Sequence, residues 1–232
     1  LGFPQELDGQ AFAHVVEDLL IGGALIGQLA PQRARCRVKL VGDIRNYTEL
    51  VREVDSTELQ ESVNRVFDRL ERKVGALGGT LKEFQGDAIF AFWECNDLGC
   101  HAVDACSAAL HLKELTRELA RDRSVWTVEQ RHLKMDFALA TGPVNISGYG
   151  KEGALGLSMV GESVVLAFRI EKFADDSTGS IVVCPITRQL ADGHFKFRNL
   201  GSRKSKGFDA THDLYSLVKA KRMNRSRVQR IR

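Results

Sequence analysis

Two aspartates carry the chemistry this sequence suggests. Asp43 ends the apolar run "VKLVGD", and Asp87 sits in the middle of "GGTLKEFQGDAIFAFW" (78–93), where a Gly-Asp pair separates two strand-like stretches. Such a pair between two strands predicts a tight hairpin turn. Strand alternation then aims Glu83, Gln85 and, approximately, Asp87 to one face. A lone buried carboxylate is costly, so each aspartate needs a partner. Two acids on neighbouring strand ends suit divalent cations, and Mg²⁺ prefers a couple of carboxylates plus substrate phosphates to a full protein cage. The stretch after Asp43, "IRNYTEL", offers backbone amides ahead of a helix start that can cradle phosphates. On spacing alone, a helix cap at Asp43 and a turn role at Asp87 fit equally well.

The elements that must position these residues follow from periodicity. "RCRVKLVGDI" (35–44) reads as a strand, and "TELVREVDSTELQESVNRVFDRLERKVGAL" as a helix in two pieces, broken near Asp55-Ser56 with either residue as N-cap. The hairpin follows, then a helix over about 98–121. "HLKMDFALATGPVNISGYG" (132–150) is a strand entering a glycine-rich loop, 161–174 a helix, 180–184 a strand and 211–218 a last strand. "GYGKEGALG" fails the phosphate-loop pattern, because no Lys-Ser/Thr follows its second glycine. It reads as a mobile loop. Strands and helices mix without steady βα alternation, which predicts an α+β sandwich with a mixed or antiparallel sheet.

Composition sets the outer limits. The 232 residues are 44% hydrophobic and 27% charged, ordinary for a soluble globular chain with a core of its own. Five cysteines form no framework, so reduced thiols in a cytoplasmic protein are expected. "CNDLGCH" (95–101) lacks a second ligand pair at zinc spacing and reads as a loop and helix start. Residues 219–232 hold seven Lys/Arg and no acid, so 1–218 carry four net negative charges against +3 for the whole. This tail reads as a solvated, poorly ordered terminus rather than a nucleic-acid contact. The apolar run at 19–30 is too short to span a membrane and has no basic start, which leaves 1–34 as a lead-in helical segment. The chain opens on Leu rather than Met, leaving room for a regulatory domain upstream.

The motifs in sequence carry more. "VGDIRNYTEL" and, some forty residues on, "GGTLKEFQGDAIFAFW" resemble the catalytic domain of class III nucleotidyl cyclases, the adenylate and guanylate cyclase family. Its pattern is roughly F-x-D-I-x-G-F-T-x-L followed by G-G-x-x-x-K-x-x-G-D-x-x-x-A-x-F. "HAVDACSAAL", "FALATGPVNISGYG", "VGESVVLAFRIEKFA" and "KGFDATHDLYSL" follow in the family's order, so the likeness covers about 36–218. It implies a catalytic domain over 35–218 with a ferredoxin-like βαββαβ core, acting as a homodimer with the site between chains. Asp43 and Asp87 match the metal-binding aspartates, with the Ile44 carbonyl assisting, and the cofactors implied are two divalent cations, Mg²⁺ or Mn²⁺. Arg169 matches the transition-state arginine supplied by the partner chain. Asn46, Tyr47 and Thr48 fall in the phosphate-cradling stretch, and Lys206 sits near the triphosphate lysine.

The departures bear on the substrate. Glu83 stands where adenylate cyclases carry the base-selecting lysine; a carboxylate there accepts from guanine N1–H and the 2-amino group, so GTP is slightly favoured. Lys82 is adjacent, and a one-residue slip would turn it to the other face. Ser158, at the second base-selecting position, is permissive and reads equally well as a loop residue. Val165 replaces the asparagine that contacts ribose, and Asn46 replaces a glycine, which is tolerable if the turn needs left-handed geometry. Three readings follow: a cyclase acting on GTP, a UTP or CTP cyclase of the kind that makes cyclic UMP or CMP in bacterial antiphage signalling, and an inactive dimerisation or regulatory module. Survival of Asp43, Asp87 and Arg169 together favours an enzyme.

Overall fold

A computed structural model describes residues 35–94, 101–129, 131–149, 156–204 and 211–222. The lead-in over 1–34, "CNDLGC", the loop over 150–155, Lys206 and the tail from 223 lie outside the described residues, so the expectations placed on them do too.

One mixed sheet orders the molecule. Its strands are β1 (Arg35–Ile44), β2 (Thr80–Gln85), β3 (Ala88–Glu94), β4 (Met135–Tyr149), β5 (Gly156–Val160), β6 (Ile181–Val183), β7 (Phe195–Lys204) and β8 (Thr211–Ala220). They run β2-β3-β1-β4-β6-β8-β7, with β5 hydrogen-bonded to β4. The helices are α1 (Tyr47–Glu53), α2 (Ser56–Ala76), α3 (His101–Leu119), α4 (Glu162–Glu171) and α5 (Pro185–Ala191). The first four strands, with β1 antiparallel to both β3 and β4, form the expected ferredoxin-like core. The β4–β6 pair is parallel, which makes the sheet mixed.

Two apolar layers explain the alternation. On one face Val38, Leu40, Ile89 and Leu139 meet α2 and α3 through Val63, Leu70, Ala105 and Leu112. On the other, Val41, Phe90 and Ala138 meet α4 through Leu166, Ala167 and Ile170. Each fully buried Leu or Val contributes about 1.5–3 kcal/mol. Helix α2 starts where the sequence predicts: the Asp55 carboxylate accepts from the Thr57 and Glu58 amides at 3.0 and 2.9 Å.

Three elements escape the periodicity. β5 is five residues beside the glycine-rich run, and it carries Ser158, which is therefore a strand residue. α5 is seven residues, readable only from Pro185 at its first turn. β7 is a sheet edge whose Lys196, Arg198, Arg203 and Lys204 are exposed, a polar pattern that hides a strand while discouraging edge pairing. β8 also runs to Ala220, taking in the first two residues of the expected tail.

Lys39 is a cost inside this frame. It is wholly buried in β1, with its ammonium donating to the Arg37 and Gly142 carbonyls at 2.8 and 2.9 Å. Burial lowers its pKa from 10.5 to about 8. Between those values the unfolded chain holds the proton and the fold does not, so stability rises with pH across this window. Lys39→Met should flatten that rise and stabilise the protein at pH 7 by roughly 1–3 kcal/mol, read from urea unfolding at pH 7 and pH 10.

Candidate active site

The end of β1 and the β2–β3 turn meet because of register. Asp43 pairs with Ala88, and one step further the Ile44 amide donates to the Asp87 carbonyl at 3.1 Å. Gly86 takes φ 64°, the positive value a primed two-residue hairpin turn requires at its first central position. Gly42 admits the ring of Phe137, whose Cε1 would lie 2.6 Å from any Cβ there. The two aspartates are thereby set side by side, both half-buried. Burial and the neighbouring Asp43 carboxylate push the Asp87 pKa up to about 6.

Further charged groups surround them, and the sequence reading found none of these. Asp136 on β4 lies directly opposite Asp43 and is buried. It is clamped by Arg45, whose Nε and Nη2 donate to its two oxygens at 2.7 and 2.5 Å while Nη1 pairs with Asp176 at 2.7 Å. Glu171, buried at the end of α4, pairs with the Lys172 ammonium at 2.8 Å. The same ammonium reaches Asp43 Oδ2 at 2.5 Å. Glu171 was detectable: it follows Ser163, Ala167 and Ile170 on the buried stripe of α4, where an acid is out of place. Asp43, Asp87, Asp136 and Glu171 face two cations, Arg45 and Lys172, and the excess of negative charge falls on the first two.

That excess is what a cation would answer. Asp43 Oδ1 is buried without a hydrogen-bond partner, an arrangement that costs about 1–3 kcal/mol or more for a charged group. Asp43 and Asp87 could hold a divalent ion here, and the donor set is hard oxygen, as Mg²⁺ and Mn²⁺ prefer. No group of three or more His, Cys, Asp or Glu side chains is assembled for a metal among the described residues. Further ligands would have to come from backbone, water or substrate.

The remaining expected residues divide. Asn46 adopts φ 60°, ψ 28°, the left-handed geometry that its replacement of glycine requires, and it caps α1 from its backbone. Tyr47 is partly buried, packed against the α2/α3 core. Thr48 is exposed in the first turn of α1, whose leading amides have no intrahelical acceptor. Ser158 is half-buried and pairs with Ser147 across β4–β5. Arg169 is exposed on α4 one turn after Val165, itself 48% exposed. Arg169 has no ion-pair partner among the described residues. Glu83 shares the α4 face of the sheet with Asp43, as alternation predicts, while the Gln85 side chain lies outside the described residues.

Comparison with known proteins agrees with this architecture. The family described as the adenylate and guanylate cyclase catalytic domain matches residues 32–219. Adenylate cyclase 1 of Rhizobium meliloti (strain 1021) is 26% identical over 177 residues, 76% of this chain and 26% of that protein. The chain thus spans about a quarter of that relative's length. The crystal structure of the adenylyl cyclase CyaB from P. aeruginosa superposes with TM-score 0.69 at 22% identity, covering 82% of this chain and 96% of that one. The guanylyl cyclase Cya2 gives TM-score 0.71 at 21% identity, covering 82% and 94%. With the family matched across the sheet, the helices and both aspartates, this chain belongs to the class III adenylate and guanylate cyclase catalytic domains.

Proposed function

We propose that the domain converts a nucleoside triphosphate into its 3′,5′-cyclic nucleotide and pyrophosphate, at sites shared between two copies of the chain. The observation that carries this reading is the unsatisfied Asp43 Oδ1 beside a raised Asp87, in a cluster with more acids than cations. Asp43, Asp87 and the Ile44 carbonyl would hold two divalent cations, which when bound lower the pKa of the ribose 3′-hydroxyl and offset triphosphate charge.

The chain's own residues do the rest. The 3′-oxygen forms a bond to the α-phosphorus, the bond from that phosphorus to the bridging oxygen of pyrophosphate breaks, and the hydroxyl proton passes to solvent. Arg169, exposed and unengaged within its own chain, supplies a planar guanidinium to oxygens gaining charge in the partner's site. The amides of Asn46, Tyr47 and Thr48 face the triphosphate, and Lys206 would add charge to it. Glu83 meets the base, with GTP favoured. Val165 cannot donate to ribose, so the turnover is slower than an asparagine would allow, by about 10- to 1000-fold for a lost donor of this kind.

Purified protein with Mn²⁺ and each of ATP, GTP, UTP and CTP should yield one dominant cyclic product by mass, absent with Asp87→Ala. Arg169→Ala should be equally inert alone, yet a mixture of the two variants should regain activity, since one composite site per mixed dimer is intact. No product with any nucleotide from a correctly folded dimer would leave the inactive module as the reading.

Lys172 should compete with the metal. Its side chain is 67% exposed and its ammonium offsets the charge of the Asp43 carboxylate through Oδ2, the oxygen beside the unpartnered Oδ1. A cleft of about 290 Å³ lined by Lys172, Phe173, Ser177, Thr178, Leu200 and Arg203 gives it room to move aside. Lys172→Met should tighten Mn²⁺ binding about three- to tenfold, followed by the loss of free-Mn²⁺ paramagnetic resonance signal in the absence of nucleotide.

A further inference from the structure

The β2 strand does not run straight to its turn. Leu81 pairs with Ala91, but Glu83, not Lys82, pairs with Phe90, so Lys82 is an inserted residue. A bulge of this kind leaves one residue unpaired and re-aims the side chains beside it. Leu81 packs on the α2/α3 core, so alternation carries Lys82 to the opposite face. Glu83 shares that face, because its cross-strand partner Phe90 packs against Phe168 of α4 with ring centroids 5.3 Å apart. Two consecutive strand residues thus point the same way. They form an ion pair, Lys82 Nζ to Glu83 Oε2, with Lys82 only 10% and Glu83 31% exposed.

We infer that Lys82 is a second specificity-determining residue, and that Lys82 and Glu83 together read a lactam edge, a ring N–H beside a carbonyl. This rests on the cyclase reading and deepens it. The ammonium has three donors and gives one to Glu83. Because Nζ touches the carboxylate, a base N–H accepted by Glu83 brings the neighbouring base oxygen beside Nζ. Guanine offers N1–H next to O6, and uracil offers N3–H next to O4. Adenine and cytosine exchange donor and acceptor at these positions, so they meet the pair only if the base slides by one atom. The 2-amino group of guanine is then not needed, in contrast to a lone carboxylate that takes N1–H and N2–H together. A mismatched edge leaves buried polar groups unpaired, the strongest source of discrimination available to such a site.

Hypoxanthine keeps the lactam edge and lacks the 2-amino group, which makes inosine triphosphate the deciding probe. The wild-type protein should turn over ITP and GTP with kcat/KM within about threefold of each other, and ATP and CTP at least about 100-fold more slowly. Calorimetry with the 3′-deoxy triphosphates of guanosine, inosine, uridine, adenosine and cytidine, which cannot cyclise, should rank the first three above the last two. Lys82→Met should cost about 10- to 100-fold for GTP and ITP through KM, with kcat little changed and the melting temperature near wild type. A drop of 30-fold or more from GTP to ITP, an adenine or cytosine preference, or a Lys82→Met variant with unaltered KM would each overturn the inference while leaving a working cyclase. Lactam-selective binding without turnover would uphold the inference and remove the enzymatic reading instead. Failure of all five analogues to bind would remove both.

Discussion

Like charge held at close quarters organises this domain. Asp43 and Asp87 are brought together by a backbone register, not by mutual attraction, and the Ile44 amide donating to the Asp87 carbonyl is the bond that closes the approach. The adjacent strands are buried in two apolar layers, so the carboxylates cannot drift apart without breaking the ladder. Burial, with the Asp43 carboxylate alongside, raises the Asp87 pKa, and one Asp43 oxygen is left without a hydrogen-bond partner. Packing energy in the core keeps an unfavourable electrostatic arrangement in place, and that is the condition of a site ready for a cation.

The cations nearby are deployed unequally. Arg45 is committed: three hydrogen-bonded contacts fix it to Asp136 and Asp176, and removing it would leave a buried Asp136 uncompensated. Lys172 is held less completely, an exposed side chain shared by Asp43 and Glu171. One cation therefore belongs to the scaffold and the other to the resting state of the site. Arg169, on the same helix as Glu171, belongs to neither and stays exposed.

The hairpin opposite repeats the theme on a smaller scale. Residues 80–88 must deliver Asp87 to the turn and, four residues earlier, Glu83 to the α4 side. An unbulged strand would send Lys82 and Glu83 to opposite faces. One inserted residue puts both on the α4 side without disturbing the turn, and Phe84 still reaches the other face to stack on Phe67 with centroids 4.9 Å apart. The change from Leu81 to Glu83 in register is a local event that sets two charged side chains together.

Much of this was legible in the chain. β1, the two-part helix broken at Asp55, the turn at Gly86-Asp87 and the α4 span all follow from periodicities of two and 3.6 and from cap and turn chemistry, which are local properties. Motif order pointed to the family and to Asp43, Asp87 and Arg169. What local pattern could not show was whatever depends on pairing between distant segments. Asp136 faces Asp43 only because β4 adds antiparallel to β1, and Lys172 reaches Asp43 only because α4 ends above that strand. The bulge at Lys82 is invisible in sequence, since the extra residue is defined by the partner strand rather than by β2 itself. Sequence determined which groups exist and which elements carry them, because those are near-neighbour effects. Tertiary structure decided which charges stand opposite one another, because register and face are properties of two strands at once.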